Sequence, residues 1–254
     1  ANSPGSPIWD TTNGKFGPFK GQMFIGDQRQ SNYFRSGVEK INGEYQGWCI
    51  DFLRGLESGP VKMSFDSQGR LWSAQVGRGW FSKGGKRTAI QYVEWDKKTT
   101  PFAIHSASLT KTGFSVRFTE RIGKKMTPKV SSWGYHYYST YGSPPVDQQV
   151  LKVSNYQLSK DRKTVTFDIP LSEKKIYAIT FNEQRNTEAE MLDFDTIYYT
   201  LNQARPVREP RPGRNVGWSL AGSSWNRNDK NRPLPPVVAP LSADKCAIPA
   251  PKEA

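Results

Sequence analysis

Two stretches of this chain repeat each other: Gly21–Gln28 and Gly69–Val76 both read Gly, any residue, large apolar, aromatic, small or β-branched, small, then Asp or Gln. They lie 48 residues apart, within the period of a unit built from several short strands, such as a β-propeller blade. Two such units cannot close a ring, which needs about four to eight blades. The repeat therefore predicts an open β-structure that belongs to something larger.

The 254 residues suffice for one large β domain or two smaller ones. Only 35% are hydrophobic, and 22 Gly with 18 Pro favour short strands and many turns over long helices. The first hundred residues read as strands at Met23–Ile25, Asn32–Lys40 and Tyr45–Phe52, with an Asn42-Gly43 hairpin turn before the last of these. Val61–Phe65, Leu71–Val76 and Ala89–Trp95 form the second set, with Gly77–Arg87 as its long loop. Beyond Pro101, seven strand candidates follow at sandwich spacing: Phe102–Leu109, Gly113–Thr119, Ser131–Ser139, Gln149–Leu158, Thr164–Ile169, Lys175–Phe181 and Ile197–Leu201. In Gly113–Thr119 the residues Phe114, Val116 and Phe118 share one face. From residue 205 the composition changes, and half of the prolines lie in this last segment. The expected architecture is all-β: a partial β-propeller of two blade-like repeats in 1–100, an immunoglobulin-like β-sandwich in 101–204, and an extended Pro/Arg-rich tail in 205–254.

A net charge of +13 allows an acidic glycan, an anionic surface or an acidic protein as partner. The basic residues fall in short clusters beside turns, and no nucleic-acid motif accompanies them, so nucleic acid is not expected. No apolar run approaches the roughly 18 residues of a membrane span. Cys49 and Cys246 either bridge the tail to the first repeat, which fits an oxidising compartment, or stand as two unrelated thiols. The Cys-x-x-Cys-His run of covalent haem attachment is absent. His105 and His136 have no partner at metal-ligand spacing, and the acidic group Glu188, Glu190, Asp193 and Asp195 fits no calcium loop, so no metal is expected.

Two groups of residues point to binding. Asp27, Gln28 and Gln30 follow the first repeat, and Arg78 and Trp80 follow the second. Equivalent loops of neighbouring units lie close together, so these groups either converge on a polar ligand or tie one unit to the next through backbone hydrogen bonds. The second group is aromatic: Trp133, Tyr135, Tyr137 and Tyr141, with Trp218 and Trp225 in the tail. It suits a protein interface or a glycan platform, although on a strand only alternate side chains share a surface.

Residues 14–96 carry the phrases Gly14–Phe19, Gly26-Asp27-Gln28, Gly43–Gly47 and Arg78-Gly79-Trp80. Farther along come Pro101–His105, Phe118-Thr119-Glu120, Tyr141–Pro144 and Tyr198–Asn202. In this order they resemble the last blades and the following β-sandwich of glucose/sorbosone dehydrogenase-like propellers in large, modular, extracytoplasmic bacterial proteins. The resemblance spans residues 8–202. It implies a periplasmic or secreted location and a structural or interaction role in a cytochrome-associated assembly, with other chains completing the propeller. It also implies that any quinone or haem belongs to a partner chain, possession of a cofactor by this chain not being expected. An alternative is participation in a sugar or alcohol oxidoreductase that passes electrons to a c-type cytochrome. The earlier blades that supply most of such a site are missing here, which assigns any dehydrogenase activity to the assembly.

Overall fold

The computed structural model describes residues 3–77, 79, 81–137 and 142–205. Among them lie fifteen strands and no helix, arranged as three antiparallel sheets, none of which closes on itself. Among the described residues no helix is long and apolar enough to cross a membrane. The largest sheet has eight strands. It runs β1 (Pro4–Trp9), β2 (Met23–Asp27), β3 (Asn32–Ile41), β4 (Glu44–Arg54), β15 (Thr196–Leu201), β14 (Lys175–Thr180), β10 (Lys129–Gly134) and β11 (Val146–Leu151). A three-stranded sheet runs β5 (Pro60–Phe65), β6 (Leu71–Val76) and β7 (Thr88–Val93). The four-stranded sheet runs β12 (Ser154–Leu158), β13 (Thr164–Asp168), β9 (Gly113–Phe118) and β8 (Ile104–Leu109).

Local chemistry accounts for much of this. Asn42 and Gly43 take positive φ, 48° and 90°, as a two-residue hairpin turn between twisted strands requires, and Ile41 pairs with Glu44 across it. In β9 the expected alternation holds: Phe114, Val116 and Phe118 are fully buried and Arg117 is exposed. Each such burial stabilises the fold by about 1.5–3 kcal/mol before entropy is counted.

Two apolar cores result. One lies between β1–β4 and β5–β7, where Phe16, from the segment joining β1 to β2, sits 5.1 Å from both Phe24 and Phe65 with its ring edge-on. The other joins the four-stranded sheet to the far half of the large sheet, Phe114 and Phe118 meeting Tyr199, Tyr177 and Phe181. The large sheet covers both cores because β4 pairs with β15, with Tyr198 opposite Cys49 and Thr200 opposite Gly47. It thus draws strands from both sides of residue 100, and the described residues all belong to one compact unit.

Two local expectations are modified. Gln149–Leu158 is not one strand: β11 pairs with β10 in the large sheet, β12 pairs with β13 in the four-stranded sheet, and Lys152-Val153, in neither strand, links them. The repeats agree in position but not in phase. Both Gly21 and Gly69 have positive φ ahead of a central strand, yet Phe24 points inward in the first while Leu71 and Ser73 point inward in the second, leaving Trp72 outside. A shift of one residue along a strand exchanges its two faces.

Candidate functional site

The loops that follow β2, β4 and β6 meet at one end of the β1–β4 and β5–β7 pair. The Gln28 amide donates to the Val76 carbonyl at 3.0 Å, joining corresponding ends of the two repeats. Asp27 is fully buried, and its Oδ1 accepts from the backbone N–H groups of Ser3 (3.2 Å) and Gln30 (3.1 Å). Ser31 is the hub of this end. Its carbonyl accepts from Leu56 N at 3.0 Å, and its hydroxyl accepts from Gly84 N at 2.9 Å and shares a 2.6 Å hydrogen bond with Ser82. Lys83 N donates to Arg29 O at 3.1 Å, so the loops are tied by main-chain bonds as well. Behind them, the Tyr33 hydroxyl donates to Ser73 at 2.5 Å, and Gln75 bridges Ser73, Gln91 and Ser58 N. Burial raises the Tyr33 pKa, and the Ser73 bond offsets part of that rise.

These contacts frame a polar cleft of about 480 Å³ lined by Gln30, Asn32, Asp51, Arg54, Lys83 and Gly84 among others. Arg54 is ion-paired with Asp51, and Asn32 Nδ2 donates to Asp51 Oδ1 at 3.3 Å. The carboxylate accepts only, which fixes which end of the Asn32 amide is nitrogen. Asn32 Oδ1 is left buried without a hydrogen bond. Of the residues expected to converge here, Gln30 lines the cleft while Asp27 and Gln28 brace its walls; Arg78 and Trp80 lie outside the described residues. Asn32, Asp51, Arg54 and Lys83 were not anticipated. The available signal was polarity in strand ends otherwise rich in aromatics, as in Ser31-Asn32-Tyr33 and Ile50-Asp51-Phe52.

A second unanticipated cluster joins the two cores. Arg35 of β3 is 2% exposed, and its Nη1 and Nη2 donate to Gln22 Oε1 (2.5 Å), His105 O (3.2 Å) and Ile104 O (2.7 Å). The guanidinium lies 3.9 Å from the Phe19 ring centre, a cation–π contact in a desolvated setting. Burial pushes its pKa down, to about 9, so it remains a cation at neutral pH. His105 Nε2 lies 3.1 Å from Pro18 O, and the imidazole pKa is lowered first by burial and then by the charge of Arg35.

The expected aromatic group is partly assembled. Trp133, Tyr135 and Tyr137 line a groove of about 300 Å³ with Pro144 and Ile176. Tyr137 is fully exposed, and Trp133 meets Tyr198 edge-on at 6.3 Å. Because β10 ends at Gly134, the residues after it leave strand alternation, and His136 also lines the groove. Tyr141, Trp218 and Trp225 lie outside the described residues, as does Cys246. Cys49 lies half-buried in β4, and burial raises its thiol pKa. Among the described residues no three His, Cys, Asp or Glu side chains gather as metal ligands.

The outer face of the three-stranded sheet carries exposed apolar side chains. Cross-strand register places Ser64, Trp72 and Tyr92 in one row and Lys62, Ala74 and Ile90 in the next. Ile90 is 75% exposed and Tyr92 48%. Trp72 and Tyr92 are in ring contact at 4.7 Å, with the Arg70 guanidinium 5.4 and 5.1 Å from their centres. Asp66 holds the arrangement, accepting from Trp72 Nε1 (2.8 Å) and Arg70 Nε (2.7 Å), and these bonds keep its carboxyl well below the usual range. No known protein family matches the chain, and neither does any curated protein or solved structure.

Proposed function

We propose that this chain is an interaction module that completes a larger β-structure with other chains, as expected for an extracytoplasmic assembly of the sorbosone dehydrogenase-like, cytochrome-associated type. In this reading β1–β4 and β5–β7 are two neighbouring propeller blades, and the strands around the larger core form an immunoglobulin-like sandwich. The outer face of β5–β7 carries the proposal. An antiparallel sheet with one wet face reads polar on that face. Here Met63 and Leu71 are buried on the inner side, and Trp72, Ile90 and Tyr92 stand beside Lys62 and Ser64 on the outer one, so the sheet carries large apolar side chains on both. A blade lying between two others has that character, since packed sheets bury both faces at about 10 Å spacing. The edge strand β7 pairs only with β6, leaving main-chain groups open to another strand. Any quinone, haem or sugar oxidation would then reside in the completed assembly.

Light scattering on native material after size exclusion, with mass spectrometry of every chain in the peak, tests the proposal. A co-purifying chain or a homo-oligomer that dissociates on Trp72→Ser with Tyr92→Ser is the expected result. A native monomer, or an oligomer indifferent to both substitutions, overturns it.

A further inference from the structure

We infer that the open edge of β7 pairs with the β7 of a second copy of this chain, antiparallel, across a twofold axis at Ile90. The inference rests on the reading of β5–β7 as a contact surface and names the partner. The internal repeat shows which strand is missing. Matching Gly21–Gln28 to Gly69–Val76 sets β2 against β6, so β1 corresponds to β5 and β3 to β7. In the first unit β3 is covered by the antiparallel β4, whereas β7 pairs with β6 alone.

The edge is also unguarded. Proteins blunt sheet edges with bulges, Pro or charged side chains. Among the described sheets the edge strands β1, β5, β8, β11 and β12 all break register with their neighbour, and β1 and β5 contain Pro as well. β7 keeps unbroken register, from Thr88 opposite Val76 to Val93 opposite Leu71, and it holds neither Pro nor a charged residue. One bond tells which of its groups are open: Gly77 N donates to Arg87 O at 2.9 Å. Antiparallel bonding alternates along a strand, so Ala89, Gln91 and Val93 turn their main-chain groups to β6, and Thr88, Ile90 and Tyr92 turn theirs outward.

Charge selects a second copy as the occupant. Lys86 and Arg87 lead into β7 and Glu94 follows it, all three exposed. An antiparallel copy brings the acidic exit of each strand to the basic entry of the other. With the axis at Ile90, the three open residues meet only one another: Ile90 faces its counterpart and Thr88 faces Tyr92, an aromatic and β-branched pair of the kind that stabilises sheets. Lys86, which is ion-paired with Glu57, then lies opposite Glu94.

Mild oxidation of full-length Ile90→Cys tests the inference, with Thr88→Cys and the parent chain as controls. Opposed residues of a hydrogen-bonded pair stand about 5.5 Å apart at Cα, within disulfide reach, whereas the two Thr88 positions would be about 14 Å apart. Ile90→Cys should give a disulfide-linked dimer as the major species, and Thr88→Cys no more dimer than the parent. A native assembly in which Ile90→Cys cross-links no better than Thr88→Cys overturns the inference and leaves the broader interaction reading standing. A native monomer with no co-purifying chain overturns both. Thermal unfolding establishes that each variant is folded. Should Ile90→Cys prove unstable, amide exchange in the purified parent chain decides: the Thr88, Ile90 and Tyr92 amides should slow by about tenfold well above the concentration of half-dissociation, and exchange independent of concentration sinks the inference.

Discussion

Arg35 occupies a position of β3 where alternation with Tyr33 calls for an apolar side chain facing the core. A buried charge is tolerated when hydrogen bonds replace its lost water. Two main-chain carbonyls and the Gln22 amide oxygen do so here, with the Phe19 face as a further contact. The cost falls on His105, whose protonation is opposed by burial and then by the Arg35 charge, so its folded pKa lies below 6.5. The sign of the resulting pH dependence follows. As pH falls below 6.5 the unfolded chain takes up a proton at His105 that the folded chain refuses. The stability contributed by neutral His105 is complete above 6.5 and is lost as pH falls toward the lower folded value. Arg35→Met keeps the apolar stem and removes the charge. Its expected result, read from the imidazole resonances, is a His105 pKa above that of the parent chain, with a smaller loss of stability in acid. An unchanged His105 titration would refute the coupling.

At the scale of elements, the hairpin β3–β4 shows how tightly neighbouring strands constrain one another. Gly37 lies directly opposite Trp48, and a Cβ on Gly37 would stand 2.6 Å from Cζ2 of the indole. Trp48 is itself 7% exposed, so the ring has little room to yield. Gly37→Ala should therefore destabilise the chain by about 1–3 kcal/mol, the usual cost of overpacking, measured by urea denaturation. Val38→Ala, at a half-exposed neighbour, serves as the control with a smaller effect. The hairpin itself was legible from Asn42-Gly43, and the inward set of β9 from its alternation, because both signals are local. The phase of the second repeat was not legible: Leu71 and Trp72 are both large and apolar, and only packing against Phe16, Phe24 and Phe65 selects which one turns inward. The cleft was half legible. Turn positions located Gln30, whereas Asn32, Asp51 and Lys83 come together only through the pairing of β3 with β4 and the docking of the 77–87 loop.

The pairing of β4 with β15 determines how the described residues hold together, and it joins segments about 150 residues apart, beyond the reach of any local pattern. Composition marks a change near Pro101, yet the larger core needs Trp48 and Ile50 from the near side of that point. Polar ties reinforce the join. The Tyr199 hydroxyl donates to Glu39 Oε1 at 2.5 Å and accepts from Gln46 Nε2 at 2.9 Å, and burial together with Glu39 raises its pKa steeply. Gln46 Oε1 accepts from the backbone N–H groups of Asn202 and Gln203, and Arg205 closes an ion pair with Glu39 at 2.8 Å. A fragment of residues 101–205 would lose all of these, expose the edge of β15, and forgo about 1.5–3 kcal/mol for each of Trp48 and Ile50. Net stabilities of domains are only about 5–15 kcal/mol, so a loss of this size removes much of the margin. The expected outcome is that the fragment shows no cooperative thermal transition by circular dichroism, while the full chain unfolds its described part in one step with calorimetric and van't Hoff enthalpies in agreement. A fragment that folds cooperatively on its own would mean that the β4–β15 junction joins two self-sufficient halves, and the large sheet would then be a docking seam between them.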